Sequence, residues 1–199
     1  GLGKMACFQN AARRHVETAW GEASDELLFG HLGDVEIVFL PRHGRSHRLT
    51  PSEINYRANI AALKQSGCHA ILSLSAVGSF REDLPPGGFA LVEQYLDRTQ
   101  GRVRSYFGDG IVGHVSLADP TCRAMGDVVV AAAERIGLPL PRDATYVAID
   151  GPQFSSRAES LFYRAQGCDV IGMTNMPEAR LAREAELCYA AVAMVTDYD

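Results

Sequence analysis

The sequence predicts an α/β protein in which helices cover both faces of a central sheet. Short apolar runs rich in Val, Ile and Leu alternate with segments of helical period, as in α/β folds. At 199 residues, of which 47% are hydrophobic, the chain is long enough to bury one sizeable core. It contains no internal repeat, low-complexity tract or linker, so we expect a single domain over residues 1–199.

The apolar runs define six strands in chain order. They are Val35–Leu40, His69–Ser75, Phe89–Tyr95, Thr145–Ile149, Asp169–Met173 and Cys188–Thr196. Between them the helical patterns predict Pro51–Gly67, Pro120–Gly137, Ser156–Gly167 and Pro177–Leu187.

The helices have recognisable start and stop signals. Pro51 and Pro120 suit first turns, Ser156 and Glu159 form a capping box, and glycines follow three of the helices. By contrast, Asp97–Val115 is the longest stretch without a clear period and is rich in glycine. We expect it to form a functional loop or an oligomer contact.

Composition limits the classes of partner. A net charge of −5 and a pI near 5.7 argue against nucleic acid and anionic membranes as partners. No apolar run reaches the roughly 20 residues that span a bilayer, and the first residues lack a secretory pattern. The five cysteines are widely spaced without a C-x-x-C pair, so we expect neither a disulfide framework nor a zinc site, and a cytoplasmic location.

A basic segment follows the first predicted strand. In open α/β sheets ligands bind beyond the carboxyl ends of strands, which makes the residues there candidates for a site. The segment "PRHGRSHR" contains no acid and has five side chains that are cationic or can become so: Arg42, His43, Arg45, His47 and Arg48. Such a cluster suits a phosphate-sized anion, although a solvated basic loop would have the same composition.

Other strand ends carry smaller signals. The small residues of "AVGS" follow Ser75 and would let backbone N–H groups approach a ligand. Phe154 lies in the loop "GPQF", where it suits either a flat ligand or a core anchor. Met173 and Thr174 leave a strand toward the same edge, and a methionine there is more often packing than contact.

The last strand ends in two carboxylates, Asp197 and Asp199. If the strand continues they share one face, where they repel unless a cation or a hydrogen-bond donor lies between them or one is protonated. An aminopurine would satisfy both, because one acid accepts from the amine and the other donates to a ring nitrogen. The alternatives are a solvated turn and, with no third acid nearby, a less favoured magnesium site.

Together these segments resemble the S-methyl-5′-thioadenosine phosphorylases of the trimeric purine nucleoside phosphorylase family. The resemblance rests on "PRHGRSHRLTPSEINYRANIAALK", "SAVGSFREDLPPG", "GDGIVGHVSLADP", "GPQFSSRAES" and "DVIGMTNMPEARLAREAELCYAAVAMVTDYD". It implies a mixed central sheet flanked by helices, a homotrimer, and phosphorolysis of methylthioadenosine to adenine and 5-methylthioribose 1-phosphate. Inorganic phosphate is then a co-substrate, and neither a metal nor an organic cofactor is implied.

The resemblance also implies roles for residues. It assigns Asp197 and His43 to catalysis, with Asp197 at purine N7, and Asp199 to the exocyclic amine. Phosphate would be held by Arg42, His43, Ser75, Ala76 and Thr174. Phe154 would pack on the purine, Met173 would lie under the ribose, and His114 would reach the 5′ side of a neighbouring subunit's site.

The chain departs from the family at both ends. Family members begin with a strand and a G-G-[ST]-G-L loop, of which Gly1–Gly3 resembles only the tail, and they continue past the D-Y-D motif with further helices. We therefore expect the first strand, its phosphate loop and the C-terminal helices to be lacking here, as in a piece of a longer chain. Alternatives are a phosphorylase acting on adenosine, inosine or methylthioinosine, a hydrolytic nucleosidase, a histidine phosphatase and a non-catalytic nucleoside or phosphate binder.

Overall fold

The computed structural model describes residues 8–199 and divides the chain into two compact units. The first unit extends to Cys68 and the second runs from His69 to Asp199. The Gly1–Gly3 segment discussed above lies outside the described residues, as does Cys7. The single domain expected from the sequence stays a prediction.

The first unit contains a small antiparallel sheet and one helix. Strands β1 (Phe8–Arg14), β2 (Leu27–Leu32) and β3 (Val35–Phe39) pair in that order, and a 3-10 turn at Arg45–His47 precedes helix α1 (Tyr56–Gln65). Strand β3 confirms the first predicted strand, while β1 and β2 were not predicted.

The two strands that were not predicted lack a periodic apolar pattern. Only Phe8 of β1 is buried, and the residues from Gln9 to Arg14 are exposed. The pairing of β1 with β2 depends on the Phe8 ring lying close to Gly30, where a Cβ would collide with it. A hydrophobic pattern in the sequence does not reveal such a contact. Arg14 then covers the Phe29 ring at 4.3 Å from its guanidinium carbon to the ring centroid.

The second unit is a five-stranded mixed sheet closed into a barrel, with helices packed on it. Its strands are β4 (Ala70–Ser79), β5 (Phe89–Asp97), β6 (Ala144–Ala148), β7 (Val170–Gly172) and β8 (Cys188–Tyr198). Their order around the barrel is β4-β7-β6-β5-β8. Its helices are α2 (Arg123–Arg135), α3 (Arg157–Ala165) and α4 (Asn175–Glu184). The predicted mixed sheet with flanking helices is confirmed.

The capping box predicted at the start of α3 is confirmed, whereas the placement of Pro51 and Pro120 in first turns is wrong, because α1 begins only at Tyr56 and α2 at Arg123. At the start of α3 the Ser156 amide donates to the Glu159 carboxylate at 2.7 Å, and the Ser156 hydroxyl accepts from the Glu159 amide at 3.4 Å. Tyr163 on this helix packs into a cluster with Phe80, Val147 and other buried residues. The cap and the apolar contact together fix where the loop before α3 ends.

The expectation of no disulfide is wrong. Cys122, just before α2, is joined to Cys188 at the start of β8, with 5.2 Å between the Cα atoms. The Cys122 amide also donates to the Tyr189 carbonyl at 2.7 Å. The two cysteines are 66 residues apart in sequence, so only the tertiary fold brings them together.

Residues 8–199 contain neither a candidate metal site nor a candidate membrane span. No group of three or more His, Cys, Asp or Glu side chains there is arranged to hold a metal ion. None of the helices in that range is long and apolar enough to cross a bilayer.

Candidate active site

The strand ends do not all meet at one edge, contrary to the reasoning from open α/β sheets. Strand β4 runs antiparallel to β7, and β5 runs antiparallel to β8, whereas β4 with β8 and β5 with β6 and β7 are parallel. The carboxyl ends therefore lie at both ends of the barrel. The candidate residues instead lie in the middle of β4, at the end of β8 and in the loops that follow β6 and β7.

Ser75 and Thr174 form one such group. The Ser75 hydroxyl lies 3.2 Å from the Thr174 hydroxyl, and it donates to the Asn175 side-chain carbonyl at 2.7 Å. All three residues are buried, with Asn175 at 0% exposure. Ala76 is exposed and lies on the other face of β4, because side chains alternate along a strand.

This group is held by the hydroxyls of two tyrosines, the buried Tyr146 and the half-buried Tyr95. The Asn175 amide donates to the Tyr95 hydroxyl at 3.1 Å, and the Thr174 backbone N–H donates to the Tyr146 hydroxyl at 3.3 Å. Burial raises the pKa of Tyr95 well above its ordinary value, so its hydroxyl stays neutral. The hydroxyls of Ser75 and Thr174 are therefore held in place, through Asn175 and the Thr174 backbone, by hydrogen bonds to tyrosine side chains.

The aspartates at the end of β8 form a second group. Strand β8 ends at Tyr198, its pairing with β4 shifts register just before Asp197, and Asp199 directly follows the strand. A Cβ at Gly78, the register partner of Asp197, would lie 3.1 Å from the Asp199 Cβ, so Asp199 lies beside this position. The Asp199 carboxylate accepts from the Ser155 hydroxyl at 2.8 and 3.0 Å. Asp197 accepts from the Thr196 hydroxyl at 2.6 Å. Asp199 is thus tied to the loop that carries Phe154.

Phe154 is exposed rather than a core anchor. Its side chain is 78% exposed, which resolves the alternative left open by the sequence. Phe154 and Ser155 line a groove of about 270 Å³ with other residues of the loop after β6. A Cβ at Gly151, where φ is +65°, would collide with the Met173 thioether, so this loop lies against Met173.

The basic segment of the first unit is partly structural. The Arg45 guanidinium lies 2.9 Å from the Asp25 carboxylate and 3.2 Å from Glu26, and Arg48 donates to the Ser24 carbonyl at 2.7 Å. These two arginines therefore fit the solvated or paired alternative rather than the anion site. Burial raises the pKa of the Asp25 carboxyl. Hydrogen bonds from the Arg45 backbone and side chain outweigh this effect and hold that pKa below its ordinary value.

Arg42 and His43 remain candidates in this segment. The His43 Nδ1 lies 2.9 Å from the Leu49 carbonyl, which can only accept, so Nδ1 carries a proton. Its ring stacks on His47 with 4.4 Å between centroids. The carbonyl contact and the ring stacking together fix the plane of the His43 imidazole.

His114 lies in an exposed apolar loop. The loop between β5 and α2 carries His114 together with exposed hydrophobic side chains, namely Val103, Phe107, Ile111, Val112 and Val115. It is fixed to α4, because Glu184 accepts from the Ser105 hydroxyl at 2.8 Å and from the Tyr106 amide at 2.7 Å. The loop is thus anchored at its base and presents an apolar surface at its tip.

Four residues of these clusters were not predicted from the sequence: Asn175, Ser155, Tyr95 and Tyr146. Asn175 and Ser155 are direct neighbours of predicted residues, so adjacency to Thr174 and Phe154 was the available signal. Tyr95 and Tyr146 gave no such signal, because a hydrophobic pattern does not reveal which tyrosine hydroxyl makes an internal polar contact.

The family model of the Phosphorylase superfamily matches residues 6–199. The chain is 53% identical to the S-methyl-5′-thioadenosine phosphorylase of Cereibacter sphaeroides, covering 100% of this chain and 69% of that protein. It is 47% identical to the enzyme of that name from Hyperthermus butylicus, covering 100% of this chain and 73% of the other.

Solved structures agree with these matches. A methylthioadenosine phosphorylase sourced from an antarctic soil metagenomic library superposes with a TM-score of 0.98 at 50% identity, covering 100% of this chain and 70% of that one. The methylthioadenosine phosphorylase of Schistosoma mansoni in complex with adenine gives 0.95 at 40% identity, covering 100% and 77%. The chain therefore belongs to the phosphorylase superfamily, within its family of S-methyl-5′-thioadenosine phosphorylases.

Proposed function

We propose that this chain catalyses the phosphorolysis of S-methyl-5′-thioadenosine to adenine and 5-methylthioribose 1-phosphate. One observation in the geometry carries the proposal: Ser155 ties Asp199, which directly follows β8 and lies two residues after Asp197, to the loop of Phe154. Two carboxylates and an exposed aromatic ring on adjoining segments suit a flat heterocycle with an amino group and a ring nitrogen. Relatives about 50% identical over the whole chain have names that fit this reaction.

The chemistry follows from the charges that develop as the glycosidic bond breaks. Phosphate attacks the anomeric carbon, the sugar gains positive charge and the purine gains negative charge. Asp197 relieves the second change by protonating or hydrogen bonding N7, while the phosphate dianion offsets the first. Asp199 accepts from the exocyclic amine, and two acids thereby favour adenine over hypoxanthine as the leaving base.

The remaining roles are part of the same proposal. Phosphate is held by Arg42, His43, Ser75, Thr174 and the backbone of Ala76, whose side chain lies on the other face of β4; Ser75 and Thr174 lie side by side. Phe154 packs on the purine, and the Met173 side chain lies under the ribose. Inorganic phosphate serves as co-substrate, with neither metal nor organic cofactor.

A second substrate is favoured by a specific relative. The structure of a Schistosoma mansoni variant described as an adenosine/methylthioadenosine phosphorylase superposes with a TM-score of 0.93 at 40% identity. Adenosine presents the same base to Asp197 and Asp199, so we include it as the alternative substrate. Inosine and methylthioinosine present a different donor and acceptor pattern to the two carboxylates and should be poorer.

We also propose that the protein is a homotrimer acting in the cytoplasm, with neither nucleic acid nor membrane as a partner. The exposed apolar tip around Ile111 and Val112 supports burial against another copy, with His114 reaching the 5′ side of that copy's site. The Cys122–Cys188 disulfide is uncommon in a reducing compartment. Alkylating free thiols at the moment of cell lysis tests the location, and a disulfide absent before lysis supports the cytoplasm.

The test is release of base from four nucleosides, with and without phosphate. Methylthioadenosine should be cleaved only when phosphate is added, adenosine more slowly, and inosine and methylthioinosine least. Release that does not need phosphate would indicate a hydrolytic nucleosidase. Binding without release would indicate a nucleoside binder, and a trapped phosphohistidine at His43 would indicate a histidine phosphatase.

A further inference from the structure

Arg102 is a buried cation in the loop that follows β5. The residue is 8% exposed, and its side chain is 2% exposed. Arginine is almost never buried to this degree unless its charge and its donors are satisfied, because removing a cation from water is costly. Such a residue has a role that depends on its partners.

The partners of Arg102 are mainly backbone carbonyls from two separate segments. Its Nη1 donates to the carbonyls of Met173 and Met176, both at 2.7 Å. Its Nη2 donates to the carbonyls of Asp150 at 3.0 Å and Ile149 at 3.4 Å. A planar guanidinium with donors on both arms can bridge two chains in this way, and a lysine ammonium cannot.

The two bridged segments are those that carry proposed ligand residues. One leaves β7 and holds Met173 and Thr174, and the other leaves β6 and leads into Phe154. A side-chain contact joins the same segments, since Met173 lies against Gly151. The Asp150 carboxylate completes the arrangement at 3.4 Å from the Arg102 Nε.

We propose that Arg102 is a positioning residue for catalysis, which fixes the distance between the purine-stacking loop and the ribose and phosphate segment. This inference rests on the proposed function of those segments. Arg102 touches no proposed ligand and acts through the backbone of Met173 and Asp150. A shift of about 1 Å between the base and the attacking phosphate is enough to cost about 100-fold in rate.

A purely structural role would have a different signature. An arginine that only stabilises the fold changes the melting temperature and the fraction of active protein, while the folded molecules keep their kcat. A positioning arginine changes the kcat of molecules that remain folded, with a smaller change in the phosphate KM, because Ser75 and Thr174 keep their own contact.

The test compares Arg102→Lys, Arg102→Met and Arg102→Ala with Arg104→Met. Arg104 is a matched control, because it lies in the same loop, is exposed and donates to the carbonyl of Thr99 in the same loop. We expect both Arg102→Lys and Arg102→Met to lower kcat for methylthioadenosine about 100-fold with the phosphate KM changed less than about threefold. Arg104→Met should stay within about twofold of wild type.

Chemical rescue supplies the readout that a structural role would not move. Dilute guanidinium should restore part of the kcat of Arg102→Ala in a saturable way, whereas methylammonium should not, because only a planar fork can bridge the two segments. If Arg102→Ala and Arg102→Met do not fold, kcat of Arg102→Lys decides the question. If the wild-type protein is active and the Arg102 variants have the same kcat, the role of Arg102 is overturned. If the wild-type protein itself is inactive, the proposed function is overturned as well.

Discussion

Asp197 and Asp199 lie two residues apart, yet their partners differ. Asp199 has both carboxylate oxygens on the Ser155 hydroxyl, whereas Asp197 accepts from its sequence neighbour Thr196. Asp199 is therefore fixed relative to the aromatic loop, and Asp197 is fixed only relative to its own strand. This difference suits the proposed roles, in which Asp199 accepts from the exocyclic amine of the purine and Asp197 acts as the acid at N7.

Replacing Asp197 tests the acid role. Asp197→Asn keeps the shape and removes the transferable proton, so we expect turnover of methylthioadenosine to fall about 100-fold or more. The phosphate KM should change little, because Asp197 makes no contact with the phosphate-binding residues in the proposed site. Steady-state kinetics in both substrates provide the measurement.

Asp143→Asn is the matched control for this variant. Asp143 is exposed in a loop with φ of +63°, a conformation that asparagine adopts as readily. It should behave as wild type. Asp197→Asn with unchanged turnover would remove Asp197 from the reaction.

The sequence reveals some site residues and hides others for a physical reason. Asp197 and Asp199 stand out because carboxylates are poor strand residues at the end of an apolar run. Ser155 and Asn175 do not, because a serine or an asparagine has the same local signature whether it faces solvent or a ligand. Arg102 is hidden because a cation in a loop is usually solvated, and only tertiary contacts bury it.

At the scale of elements, the Cys122–Cys188 disulfide joins the start of α2 to the start of β8. A cross-link between residues 66 apart restricts the unfolded chain, which in the chain-entropy account stabilises the fold by about 4 kcal/mol. We expect Cys122→Ser to lower the free energy of unfolding by about 2–4 kcal/mol in chemical denaturation.

Two comparisons isolate the cross-link from the substitution. A reductant should destabilise wild type and leave Cys122→Ser unchanged. Cys68→Ser is the control, because Cys68 is a half-buried free thiol. A reductant effect of equal size in both proteins would show that the bond does not form in solution.

The ion pair of Asp25 with Arg45 predicts a pH dependence of stability. The folded pKa of Asp25 lies below its ordinary 3.8, so its contribution is present above pH 3.8 and is lost as the pH falls through the lower, folded value. Asp25→Asn should therefore lower stability near neutral pH and reduce its loss in acid. Urea unfolding between about pH 2 and pH 6 measures this, because the range covers both the plateau above pH 3.8 and the loss below it.

The exposed Asp34 gives a control for that comparison, since Asp34→Asn removes a charge of the same sign from the same unit. Its pH profile should follow wild type. Parallel profiles for Asp25→Asn and wild type would show that Arg45 does not stabilise Asp25 in solution.

The sequence predicts elements well where burial imposes a pattern. Strands β4 and β8 were predicted because they are largely apolar runs, which pair with each other along nearly their whole length in the barrel. Strand β1 was not predicted, because it buries only Phe8 and depends on the space above Gly30. The sequence also did not reveal strand direction. An apolar run such as β4 or β5 has the same pattern whether its neighbour is parallel or antiparallel.

For the whole molecule, the loop around His114 makes assembly testable. Val112 is 80% exposed and Ile111 is 68% exposed. Val112→Glu should place a charge in the proposed contact and shift the protein from trimer to monomer, with weaker binding of the 5′ substituent because His114 comes from another copy. Light scattering and the methylthioadenosine KM report both effects.

Val128→Glu is the control for this surface. Val128 is 68% exposed on α2, outside the loop, and should leave the mass unchanged. A wild-type protein that is monomeric at all concentrations would contradict the proposed trimer.

The central claim is that phosphate, and not water, attacks the sugar. The most direct measurement is the transfer of isotopically labelled inorganic phosphate into the sugar product while adenine is released from methylthioadenosine. We predict one labelled phosphate in 5-methylthioribose 1-phosphate for each adenine formed. Adenine released with an unlabelled free sugar would contradict phosphorolysis and make the enzyme a hydrolase.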